Sequence, residues 1–141
     1  MKAKTMLGTA LLSLVALALT VAAVGQASTT WKIALRGSSP RNSGSAEYFT
    51  GGQSFSKFSV DTVTPELANG IRLDVFLGPS TSTNEPYGKL VGSIDVDGGF
   101  GAMVLTGAKI PVVKKGSTVS VVEHDGSSAA GNENLVMRGT F

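Results

Sequence analysis

The sequence predicts an all-β fold: a single antiparallel β-sandwich of immunoglobulin-like or Greek-key type, with about seven to nine strands. Three observations predict it. After residue 27 hydrophobicity alternates with period two, the pattern of strands with one buried and one wet face. Turn residues such as Asn69-Gly70, Asp97-Gly98-Gly99 and Lys115-Gly116 punctuate these runs about every 8–15 residues. Beyond the first 27 residues, no stretch carries apolar residues at helical spacing over a helical length.

The chain opens differently. Lys2 and Lys4 precede an apolar run from Met6 to Val24, and Gly25-Gln26-Ala27 then offers a small-x-small cleavage site. Residues 1–27 are therefore expected to form a secretory signal helix that is removed. A retained anchor is the rival reading, because the run approaches the roughly 20 residues of a membrane span. Gly8, Thr9, Ser13 and Thr20 dilute it, and no basic cluster follows as a stop. Cleavage leaves residues 28–141 as one domain, secreted, periplasmic or on the surface of a bacterial cell.

In chain order, Trp31, Ile33 and Leu35 alternate with Lys32, Ala34 and Arg36, which places a strand near 29–36. Further strands are expected near 45–50, 54–62, 71–77, 89–96, 100–106, 110–113, 117–123 and 134–141. In the fourth, Ile71, Leu73, Val75 and Leu77 share a face opposite Arg72 and Asp74. Thr64-Pro65-Glu66-Leu67-Ala68 fits one helical turn, with Thr64 as cap and Pro65 at the first position. Polar connections at 37–44, 78–88 and 125–133 are read as solvated loops.

Composition excludes several chemistries. The chain has no cysteine and one histidine, His124. That removes thiol catalysis, disulfides, lipobox acylation, structural zinc and the multi-histidine site of a copper–zinc dismutase. Lys and Arg total 12 against 10 Asp and Glu, and a cleaved leader takes Lys2 and Lys4 with it, leaving ten of each. A balanced domain without a basic stripe is a poor nucleic-acid binder. No phosphate-binding glycine motif is present, and no cofactor is expected.

Leu35-Arg36-Gly37, Ser43-Gly44-Ser45-Ala46-Glu47-Tyr48 and Phe58-Ser59-Val60 form one set of signatures. Leu73 to Gly78, Leu90 to Asp97, Gly116 to Val121 and Arg138-Gly139-Thr140-Phe141 form another. Together they make residues 31–141 similar to small secreted bacterial β-sandwich domains of unassigned function. The resemblance implies a sandwich and export, and it brings no catalytic residue. The chain departs from it at 79–87, where a longer loop replaces a tight central hairpin.

Three constellations bear on chemistry. Asp95 and Asp97 lie two apart, so a strand points both carboxylates to one side, as a calcium site needs. Calcium takes about 6–8 oxygens, and the remaining ligands are missing. Glu123-His124-Asp125 puts a base beside two acids, the raw material of a small hydrolase. No Gly-x-Ser-x-Gly elbow supplies a nucleophile for it. Tyr48/Phe49 and Phe76 break the alternation, and Tyr48, Phe76 and Tyr87 are candidates for an outward aromatic grip on a glycan. The closing Leu135-x-Met137-x-Gly139-x-Phe141 resembles an outer-membrane strand, but the runs are short and their second faces are charged.

The expected function is a non-catalytic binding or structural module in the cell envelope or outside it. It would act through protein–protein contact or self-association at its edge strands. A carbohydrate-binding module is the first alternative, and a hydrolase centred on His124 the second.

Overall fold

Alternation says which face of a strand is buried, and pairing then decides which strands become neighbours. The computed structural model describes residues 28–51, 55–79, 86–124 and 135–141. Eight strands run through them: β1 (Thr29–Gly37), β2 (Ser43–Gly51), β3 (Phe55–Val63), β4 (Arg72–Gly78), β5 (Lys89–Asp95), β6 (Phe100–Thr106), β7 (Thr118–Glu123) and β8 (Leu135–Thr140). Every ladder is antiparallel, and the order is β5-β4-β7-β8-β1-β2-β3-β6.

The all-β antiparallel expectation holds, but its division into two separate sheets does not appear. The strands form one continuous sheet that curls nearly into a barrel. Two weak joins shape it. Between β8 and β1 only Arg36↔Arg138 and Gly37↔Met137 are paired. This short ladder links a half made of β5-β4-β7-β8 to a half made of β1-β2-β3-β6. At the two ends of the order no ladder joins β5 to β6 among the described residues, and the isolated bridge Asp97↔Phe100 lies in the hairpin turn that follows β5. That hairpin turns on Gly98 and Gly99 at φ 60° and 82°, the left-handed pair that a type I′ turn requires.

Beyond the turn the two edge strands meet through side chains. Met103 of β6 lies on Gly92 of β5, and Ile94 of β5 lies on Gly101 of β6. A Cβ at either glycine would sit 2.3 Å from the side chain opposite, so a larger residue at either position must displace its neighbour. Leu35, Ala46, Phe58, Val60, Leu73, Val75, Val119, Val121 and Met137 fill the interior between the halves.

Two local expectations change. The strand near 110–113 is absent; a 3-10 turn at Gly107–Lys109 and an extended crossing replace it. Pro111 has no N–H to give a ladder, and the Ile110 N–H is already donated to the Gly107 carbonyl. Val113 nevertheless plugs the core, while Val112 is 76% exposed. At Thr64 a turn forms, closed by the Leu67 N–H on the Thr64 carbonyl. Its hydroxyl is buried without a partner and caps nothing. The leader, the loop centre at 80–85 and the segment 125–134 lie outside the described residues.

Candidate functional site

His124 follows directly on β7, where the β4–β7 ladder brings it beside Asp74. Its Nδ1 lies 2.6 Å from Asp74 Oδ2, and the Ser93 hydroxyl of β5 donates to Asp74 Oδ1 at 2.7 Å. The order is hydroxyl, carboxylate, imidazole. Activating a serine needs the imidazole in the middle, taking the hydroxyl proton. Here the carboxylate holds both neighbours, which fixes three side chains on the outer face of β4, β5 and β7. Of the sequence trio, Glu123 is the last residue of β7, and Asp125 lies outside the described residues.

The aromatic candidates separate into two places. Phe76 and Tyr87 come together with ring centroids 5.9 Å apart on the outer face of β4. Tyr87 is buried there, and the Arg138 guanidinium lies 5.6 Å from its ring centroid. Arg138 Nε in turn donates to Ser120 Oγ. Burial pushes the Tyr87 phenol above its ordinary value, and the Arg138 charge pulls it partly back. Tyr87 thus serves as a lid on Phe76 more than as a platform for a ligand. Tyr48 lies elsewhere, 6.0 Å from Trp31, whose other side meets Phe141 at 6.3 Å.

Asp95 and Asp97 are both exposed, but Asp95 Oδ1 accepts from Arg72 Nε at 3.2 Å. Among the described residues no group of three or more His, Cys, Asp or Glu side chains is placed to hold a metal.

The two edges of the sheet differ in chemistry. β5 carries Lys89 and Asp95, and its ladder with β4 is interrupted by a bulge. Such features blunt an edge against unwanted pairing. β6 reads Phe-Gly-Ala-Met-Val-Leu-Thr, with no charge and no proline, and its only ladder among the described residues is to β3. On its outer face Phe100 is 64% and Val104 59% exposed, beside Val63 of β3. Sequence reasoning did not single out this stripe. The available signal was that β6 is apolar at both parities, Met103 inward and Phe100 and Val104 outward.

Comparison with protein-family models, with curated proteins and with solved structures finds no match for this chain.

Proposed function

We propose that this chain is an exported, non-catalytic module that associates through the open edge of β6, most simply with a second copy. It would act in the cell envelope or the extracellular space after loss of residues 1–27. The observation that carries this reading is an uncharged edge strand of seven residues whose outer face is apolar and exposed. Native sheets normally guard such an edge with charge, proline or a cover.

A two-fold pairing of β6 with itself is chemically self-consistent. Antiparallel register centred on Met103 sets Phe100 opposite Thr106 and Ala102 opposite Val104 of the other copy. The stripe then continues across the join, and no like charges meet. The finer fold reading belongs here too. With the β5–β6 seam counted as a neighbourhood, strands β3 to β6 lie in the order 3-6-5-4, which supports a Greek key. That arrangement also suits the resemblance to small secreted bacterial sandwich domains.

The test is sedimentation velocity of the protein as recovered from its producing cells, from micromolar to millimolar concentration. A reversible dimer is expected, and Ala102→Lys/Val104→Lys should abolish it while circular dichroism and melting stay unchanged. A monomer at every concentration, or a dimer indifferent to both lysines, defeats the proposal.

A further inference from the structure

We propose that one end of the barrel is a docking surface for an anionic lipid bilayer. The ladders gather residues far apart in sequence at the two ends of the strands. Thr29 pairs with Thr50, Phe49 with Lys57 and Lys57 with Thr106. In the other half Leu77 pairs with Lys89 and with Val119, and Thr118 with Thr140. Contact of Trp31 with Phe141 shows that these are the same end of the molecule.

All six lysines of the described residues lie in that half: Lys32, Lys57, Lys89, Lys109, Lys114 and Lys115. Glu47 is the only acidic side chain among the described residues there, and Lys57 already pairs with it at 3.2 Å. The other five have no carboxylate partner among the described residues. Arg36, Arg41 and Arg72 occupy the opposite half with Asp61, Glu66, Asp74, Asp95, Asp97 and Glu123, and Arg138 sits at mid-strand against Tyr87 and Ser120. In that opposite half Arg41 pairs with Glu66 and Arg72 with Asp95. A domain with balanced charge therefore has a strong internal polarity, which would orient it at a charged surface.

Exposed apolar groups stand among the lysines. Lys89, Lys109 and Lys114 line a groove of about 480 Å³ together with Leu90, 51% exposed, and Val112, 76% exposed. Lys32 and Lys115 line a second groove, of about 410 Å³, with Trp31 and Phe141. Lysine next to exposed aliphatic and aromatic groups suits the boundary between headgroups and acyl chains. This inference needs no dimer and stands apart from the β6 edge.

The experiment uses the protein as recovered from its producing cells, with its N-terminus read by mass spectrometry. Vesicles of phosphatidylcholine are compared with vesicles containing about one-third phosphatidylglycerol. At least about tenfold stronger partitioning to the anionic vesicles is expected, declining with salt. Fluorescence of Trp31, the sole tryptophan, should be quenched by brominated acyl chains in the anionic vesicles. Lys89→Gln/Lys109→Gln/Lys114→Gln/Lys115→Gln should remove the anionic preference at unchanged melting temperature. Arg36→Gln/Arg41→Gln should leave it intact. Equal partitioning to both vesicles, equal losses in the lysine and arginine variants, or capture by soluble polyphosphate with vesicles ignored would each overturn the proposal.

Discussion

The two halves of the sheet share one inward pattern but dispose of their outer faces in opposite ways. On β5-β4-β7-β8 the outer face is engaged with itself, apart from Leu90 on the β5 edge. Tyr87 covers Phe76, Arg138 spans Tyr87 and Ser120, and Asp74 is held between Ser93 and His124. On β1-β2-β3-β6 the outer face leaves Phe55, Val63, Phe100 and Val104 in water. Nothing in the inward alternation demands this difference, since Val75 and Val60 are equally buried. The physical lesson is that one half has spent its outer polar and aromatic groups on local order. The other keeps apolar area free, and such area lowers the free energy of association when a partner removes it from water.

The largest expected effect tests how tightly the halves are pressed together at the β5–β6 seam. At Gly101 a Cβ would lie 2.3 Å from Ile94 Cγ2, 3.1 Å from Thr62 Oγ1 and 3.2 Å from the Asp95 carbonyl. Backbone and a branched core side chain cannot both yield, so Gly101→Val should cost about 3 kcal/mol in urea unfolding. Gly92 faces only the thioether of Met103, which can rotate away. Gly92→Ala should therefore cost about 1 kcal/mol. Similar small losses at both glycines would mean that the seam is slack.

Next in size is a paired measurement on two outward phenylalanines. Phe76 is packed beneath Tyr87, and Phe76→Ala should lose about 2 kcal/mol by removing that contact and its buried area. Phe100 is exposed, and Phe100→Ala should change stability by less than about 0.5 kcal/mol. Its effect belongs to association, where the same variant should weaken the dimer. A reversal of the two stability losses would break the contrast between the halves.

Most of this fold could be read from alternation, and most of the candidate site could not. Ile71 to Leu77 announces a strand because its apolar residues recur every second position, and β4 runs through it. A strand at 110–113 was expected on composition, but one missing N–H at Pro111 outweighs the aliphatic residues around it. Strand order is invisible to alternation, because period two assigns faces and not neighbours. The environment of His124 shows the consequence. Its sequence neighbours Glu123 and Asp125 drew attention, yet its partner is Asp74, fifty residues away and adjacent only through the β4–β7 ladder. The lysine end is hidden for the same reason, being assembled from strand ends and the crossing at 107–117.

The smallest expected effect concerns the covered half alone and depends on pH. Burial favours the neutral phenol of Tyr87, so its folded value lies above the ordinary value near 10. A group raised on folding contributes stability that is complete below its unfolded value and is lost as pH climbs through its folded value. Wild type should therefore lose stability above pH about 10 more steeply than Tyr87→Phe, with little difference in pH dependence between them at neutral pH. Urea midpoints read alongside phenolate absorbance measure it. Arg138→Gln removes the charge that pulls the phenol back, so the loss should extend to higher pH. If Tyr87→Phe follows the wild-type curve throughout, the phenol is not held in a desolvated seat. The closed outer face of β4, β7 and β8 would then be as open to water as the stripe on β6.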